Sequence, residues 1–202
     1  MSTTRGPGRP PGAAAPRREQ LVAIAIELIG EQGYGAATLS QVAQRAGLSK
    51  ASVVHHIGSV AQLLGAAHEQ VLTSMVAVVG DAVESADAAD RPSAYVTAMV
   101  GYFREHPKHI RVASEAIIEL GIPRDSQERW GPLAHLLEQA REARGLPPAE
   151  DLRTAALAIG GAIDAIVREQ QTDPAYDSAD AAEQLAAAVA TTLLSPPASR
   201  PR

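Results

Sequence analysis

Apolar positions recur at helical spacing along most of the chain. Leu21, Ile24, Ala25, Leu28 and Ile29 fall at i, i+3, i+4, i+7 and i+8, a single stripe on a helix opening at Arg17. The run "EQGYG" stops that helix, with Gly33 or Gly35 able to take a left-handed cap. Thr38 or Ser40 can cap the next helix, which buries Leu39, Val42 and Ala43. Gly47 breaks it, Ser49 caps a third short helix from Lys50, and Gly58-Ser59 opens a long fourth helix reaching about Val83. Further helices are expected near 92–105, 107–120, 126–144, 149–171 and 178–194, divided by stretches rich in proline, glycine and capping residues. No alternating strand pattern and no internal repeat is present. The fold expected is all-α, with about nine helices.

Within this series, "LSQVAQRAGLSKASVVHHI" carries the spacing of a helix-turn-helix. Ala43 is small enough for a second helix to cross closely, Gly47 four residues later accepts a turn conformation that other residues resist, and Val53 follows six residues on. Leu39, Val42, Leu48 and Val53 close a small core beneath the crossing. Lys50, Ala51, Ser52, His55 and His56 are then left toward the outer side of the third helix. Side chains this small or polar enter a major groove about 12 Å wide without a steric block.

Composition agrees with helices and narrows the chemistry. The chain is 46% hydrophobic and only 3% aromatic, and its apolar share is dominated by alanine, leucine, valine and isoleucine. With no cysteine, disulfides, thiolate metal sites and cysteine nucleophiles are excluded, which suits a reducing, cytoplasmic setting. No uninterrupted apolar run approaches the roughly 18 residues of a membrane span, so no membrane partner is expected. The net charge is −5, but it is unevenly placed. Residues 1–58 hold six cations against three glutamates, a net +3, and the remainder carries −8. A positive end on an acidic body fits a local polyanion contact.

Residues 17–65 resemble the TetR family of bacterial transcriptional regulators. The likeness is carried by Arg18 opening a helix, by "AIELIGEQGYGAATL", by "VAQRAGLSKAS" and by "HHIGSVAQLL" entering the fourth helix. "YFREHPKHIRV" and the run from "AALAIGGAIDAIVREQQ" onward resemble the family's effector domain more loosely. The resemblance implies a three-helix DNA-binding head and a larger helical domain for effector binding and dimerisation. The expected divisions are a Pro/Gly-rich tail at 1–16, the head at 17–65, the effector and dimer domain at 66–195, and a second tail at 196–202. The DNA-facing set is then Arg18, Thr38, Ser40, Gln41, Ser49, Lys50, Ala51, Ser52, His55 and His56. Two positions depart from the family: Val54 stands where a phosphate-contacting tyrosine is usual, and Val60 where a lysine is usual. Both changes remove backbone contacts that supply much of the affinity for DNA.

The tail segment "RGPGRPPG" offers Arg5 and Arg9 as a minor-groove arm, since an arginine between glycine and proline can lie in a narrow A·T groove. Tyr95, Met99, Tyr102 and Phe103 follow helical spacing, and with Trp130 they suggest an apolar effector pocket, with Ser114, Glu115 and His135 as its polar groups. Ile159, Gly160, Ile163, Val167, Leu185 and Val189 suggest a two-fold helical interface, because small residues let helix pairs approach closely. His106 and His109 share a face at i, i+3, but Pro107 disturbs the turn and no cysteine or clear carboxylate completes a metal set. No metal, cofactor or catalytic constellation is expected.

The resemblance implies a homodimeric, ligand-responsive regulator, more commonly a repressor in that family than an activator. It would set two recognition helices into successive major grooves roughly 34–36 Å apart on a near-palindromic double-stranded operator, and a small-molecule effector would release it. The rival, motivated by Val54 and Val60, is a helical dimer of the same fold that binds a small ligand or protein without reading DNA.

Overall fold

The computed structural model describes residues 14–119, 121 and 126–195. Among these, nine α-helices and one 3-10 turn form, with no strand. The helices are α1 (Ala14–Gln32), α2 (Leu39–Ala46), α3 (Lys50–Ile57), α4 (Val60–Ser85), α5 (Arg91–Glu105), α6 (His109–Glu119), α7 (Ser126–Ala143), α8 (Arg153–Thr172) and α9 (Ser178–Leu193), and the 3-10 turn is Tyr34–Ala36. Helix α1 begins at Ala14, three residues before the expected start, because Pro16 sits in the first turn, where its missing N–H costs nothing. Helix α8 begins later than expected. The Asp151 carboxylate accepts from the Arg153 amide at 2.7 Å and so fixes the first turn after Pro147-Pro148.

The chain forms two compact units. One comprises the described residues of Met1–Val71 and Lys108–Ile122, the other those of Leu72–Pro107 and Pro123–Arg202. The division therefore falls inside α4, at 71/72, and α6 joins the amino-terminal unit, whereas the sequence pattern alone suggested a single break near 65.

In the amino-terminal unit α1 is the central element, packed by α2, α3, α6 and the 3-10 turn. This explains why its buried face is wider than one stripe. Val22 and Ile26 join Leu21, Ala25, Leu28 and Ile29 in the core, and Ile24 is only half-buried. Leu39, Val42, Ala43, Val53 and Ile57 close the core from α2 and α3, and Leu63, Ala66, Ala67 and Val71 from the first part of α4. Burying each of the larger side chains contributes about 1.5–3 kcal/mol.

Helix α6 is fastened to this core by several polar contacts. The Tyr34 hydroxyl donates to the Val112 carbonyl at 2.9 Å, and the Tyr34 amide donates to Glu115, which also pairs with Arg111 at 2.6 Å. Burial, followed by the Glu115 and Glu119 charges, pushes the Tyr34 hydroxyl up to about 12. At the other end Lys108 bridges Glu27 and Glu31, and Glu31 also takes Arg45 of α2 at 2.7 Å. Hydrogen bonds from Arg45 and then Lys108 hold the Glu31 carboxyl down at about 2.

In the second unit α5 lies against α7, α8 and α9. Val96, Val100, Tyr102 and Phe103 of α5 meet Leu133 and Leu137 of α7, Ala156, Ile159, Ile163 and Val167 of α8, and Ala182, Ala186 and Val189 of α9 in the buried set. Asp177 caps α9 by accepting from the Ala179 and Asp180 amides. Arg144 ties the end of α7 to Asp90 at 3.1 Å.

One described helix, Val60–Ser85, is long and apolar enough by length and composition to cross a membrane, with a mean hydropathy of 1.3 over an 18-residue stretch. The absence of an unbroken apolar run did not reveal this, because Gln62, His68, Glu69 and Gln70 interrupt a helix whose average stays high. Its Leu63, Ala66, Ala67 and Val71 are buried in the amino-terminal core, which is what gives the helix its apolar character there.

Candidate nucleic-acid interface

Helices α2 and α3 are set by three local devices. Thr38 has extended geometry, and its Oγ1 accepts from the Gln41 amide at 3.2 Å, capping α2. Gly47 closes α2 at φ 64 and ψ 33, in the left-handed region where glycine is favoured, and the Leu48 amide then reaches back to the Ala43 carbonyl at 2.9 Å. Ser49 Oγ accepts from the Ser52 amide at 3.1 Å and starts α3. Ala43 is buried where the second helix crosses, so its size fixes how closely α2 and α3 approach. Ser59 and Gln62 then cap α4 reciprocally, Gln62 Oε1 accepting from the Ser59 amide at 2.9 Å and Ser59 Oγ from the Gln62 amide at 3.2 Å.

With Val53 and Ile57 turned into the core, the rest of α3 faces outward. Lys50, Ala51, Val54 and His55 are exposed, and Ser52 and His56 are half-buried at the edges. The His55 and His56 rings meet edge to face with centroids 5.2 Å apart. Thr38, Ser40, Gln41 and Ser49 are exposed beside them, and Arg18 is exposed on α1. Capping leaves the Thr38 and Ser49 hydroxyl protons free, so both side chains can fix a helix and still donate outward. Arg5 and Arg9 lie outside the described residues.

The surface has a simple electrostatic character. Between Glu31 and Glu69 the chain has no carboxylate side chain, and Glu31 is itself neutralised by Arg45 and Lys108. A face that carries Lys50, two histidines and several hydroxyls without a single anion offers nothing to repel a phosphate backbone. This gap in acidic residues is legible in the sequence itself and adds to the excess of cations at the amino-terminal end. The fastening of α6 had no local signal, since its contacts join residues about 80 positions apart.

The second unit distributes its expected pocket residues more widely. Tyr95 and Met99 line a cavity of about 130 Å³ with Ala156, Leu157, Gly160, Ile163 and Asp164, between α5 and α8. Burial, and then the Asp164 charge, push the Tyr95 hydroxyl above its usual value. Tyr102 and Phe103 instead pack edge to face at 5.3 Å in the core, with Tyr102 hydrogen-bonded to Ser74. Trp130 lies under the Arg153 guanidinium at 5.6 Å, and His135 is exposed beside Gln139. Ser114 and Glu115 belong to the other unit, on α6.

The residues expected at a two-fold interface divide in the same way. Ile159, Ile163, Val167 and Val189 are buried within the unit, covered by its own helices. Gly160 and Leu185 are half-exposed. An i, i+4, i+8 apolar stripe serves an internal core as readily as a partner surface, so spacing alone does not separate the two. The outward residues of these helices include Leu157, Ala158, Gly161 and Ala165 among the charged Asp164, Arg168 and Glu169 on α8, and Gln184, Ala187, Ala188 and Thr191 beside Glu183 on α9.

Residues 21–67 match the family model described as bacterial regulatory proteins, tetR family. The chain is 38% identical over 89 residues to the HTH-type transcriptional regulator BetI of Stenotrophomonas maltophilia, covering 44% of each protein. It thus spans under half the length of the curated relatives it matches. Among solved structures, it is similar to the fatty acid degradation regulator FadR from Bacillus halodurans, with a TM-score of 0.70, 19% identity, and 90% and 95% of the two chains covered. It is also similar to the ketosteroid transcriptional regulator KstR2 of Mycobacterium tuberculosis, with a TM-score of 0.64, 21% identity, and 94% and 97% covered. At these identities the structural likeness concerns the fold.

Proposed function

We propose, from the premise that the chain belongs to the TetR family of bacterial regulatory proteins through residues 21–67, that it is a DNA-binding transcriptional regulator whose α3 enters the major groove. The observation that carries this reading is the carboxylate-free face of α2 and α3, which presents Lys50, Ala51 and His55 outward. Arg18, Thr38, Ser40, Gln41, Ser49 and Ser52 are the neighbouring polar contacts, with the backbone as their target. Arg5 and Arg9 would extend the contact into an adjacent minor groove.

The molecule acts in this reading as a homodimer on a near-palindromic operator, and as a repressor released by a small effector. Gly161, Ala165, Ala187 and Ala188 supply small outward side chains for helix pairs to approach, and Leu157 an exposed apolar one to bury. The effector would occupy the cavity beside Tyr95 and Met99, whose volume of about 130 Å³ admits a group about the size of a benzene ring, so a larger effector would have to open α5 from α8. Release requires that the effector bind the non-DNA-bound conformation better than the bound one. The chain passes between the two units within α4, at Pro107–Lys108 and at Ile122–Pro123, and these three connections are the routes by which such a difference would reach α3.

The test is selection of bound duplexes from random-sequence DNA by the purified chain, followed by titration of the enriched sequence. Lys50→Ala and His55→Ala are expected each to weaken binding by roughly tenfold while the association state is unchanged, the loss being about 1–3 kcal/mol per contact. Affinity equal to that of the native protein would remove α3 from the contact surface. Absence of any enriched sequence would remove DNA reading altogether.

A further inference from the structure

Two apolar side chains stand in the open on the head, Val54 at 42% exposure on α3 and Val60 at 37% at the start of α4. Val54 is the informative one, because of its neighbours. It sits three residues after Ala51, on the same outward side of α3, between Lys50 and His55, all of them exposed. The helix thus presents a small hydrocarbon patch, Ala51 and Val54, within a surface otherwise made of donors and a cation.

Valine makes no hydrogen bond, so Val54 contributes nothing to a phosphate or to the polar edge of a base. Only one feature of the major-groove edge is hydrocarbon, the 5-methyl group of thymine. The surroundings favour that occupant over an apolar protein partner. The patch is continuous with the face proposed to meet DNA, and it lies in the stretch without carboxylates, whose only charged side chains are Arg45 and Lys50. We infer that Val54, with Ala51 beside it, reads a thymine 5-methyl group, making these residues determinants of operator sequence. The inference rests on the reading that α3 lies in the major groove.

The measurement uses the full chain and a duplex enriched from random-sequence DNA, resynthesised with each thymine replaced in turn by deoxyuridine, which differs only by the missing methyl. For at least one thymine, the native protein is expected to lose affinity by about fourfold, the transfer worth of one hydrocarbon group. Val54→Ala should lose a similar factor on the thymine duplex and nothing further on the uracil duplex at that position. Equal affinity of the native protein for every substituted duplex overturns the inference, and so does a Val54→Ala loss that simply adds to the uracil loss. Both of those results leave sequence-selective binding standing. Failure to enrich any duplex instead removes the DNA-reading function and the inference with it. The uracil series requires no variant, so it reads the contact even if Val54→Ala disturbs folding.

Discussion

At Gly30 a hydrogen in place of a methyl group decides how closely the segment entering α6 approaches α1. A Cβ placed there would lie 2.4 Å from Lys108 Cβ, 2.7 Å from Cγ and 3.0 Å from the Lys108 backbone Cα. These are the stiff atoms of Lys108, so the clash cannot be relieved by swinging its ammonium aside. Gly30→Ala is therefore expected to destabilise the amino-terminal unit by about 1–3 kcal/mol, overriding the gain of about 0.5–1 kcal/mol that alanine brings to a helix. Gly65 on α4 is the control, since nothing outside its own helix lies within 4 Å of its added Cβ. Gly65→Ala should stabilise by about 0.5–1 kcal/mol. Urea unfolding of the two variants beside the native protein checks both signs, and two gains would mean that α6 does not rest on Gly30. The sequence offered little warning here. Gly30 reads as a weak point near a helix end, and nothing local says that residue 108 fills the space it leaves.

The elements that form the surface proposed to face DNA were the most legible part of the chain, and the reason is that their signals are local. Thr38, Gly47 and Ser49 act within three or four residues of themselves, so the caps and the turn could be read without knowing what packs where. The assignment of Ile159, Ile163, Val167 and Val189 to a partner surface failed to anticipate their burial for the opposite reason, since coverage by α5, α7 or α9 depends on residues far away in sequence. The start of α1 at Ala14 was missed because alanines carry no cap signal. Ser49 allows the structural and functional roles of one side chain to be separated. Ser49→Ala removes the acceptor that caps α3 and should cost about 1 kcal/mol of stability. Ser49→Asp retains a cap acceptor and should leave stability within a few tenths of a kcal/mol, but it places an anion in the carboxylate-free surface. Its DNA affinity should fall by at least roughly tenfold, through like-charge repulsion of the phosphates. Thermal melts and anisotropy titrations on the same preparations distinguish the two variants. If Ser49→Asp binds DNA as the native protein does, the amino-terminus of α3 does not face the backbone.

For the whole molecule acting as proposed, the governing quantity is the number of phosphates neutralised at once, because each releases condensed counterions. The chain as a whole is acidic, at −5, so attraction to DNA depends on a small positive region outweighing its own body. Val60 is exposed at the start of α4, where an ammonium would add to that region and where the free amides of a helix amino-terminus already favour anions. Val60→Lys should therefore raise affinity at low salt and steepen the fall of log affinity with log salt by about 0.9 per subunit, or about 1.8 for a dimer bound to both half-sites. The size of the change also reports assembly, since a single bound subunit gives half the dimer value. Titrating native and variant protein against the selected duplex over a range of salt concentrations yields both slopes, and the stability of the fold is not at stake, because the site faces solvent. An unchanged slope would mean that the start of α4 lies away from the phosphate backbone, which would tilt α3 out of the groove orientation proposed here. A steepened slope with unaltered sequence preference would mark Val60 as standing beside the phosphate backbone and not beside a base.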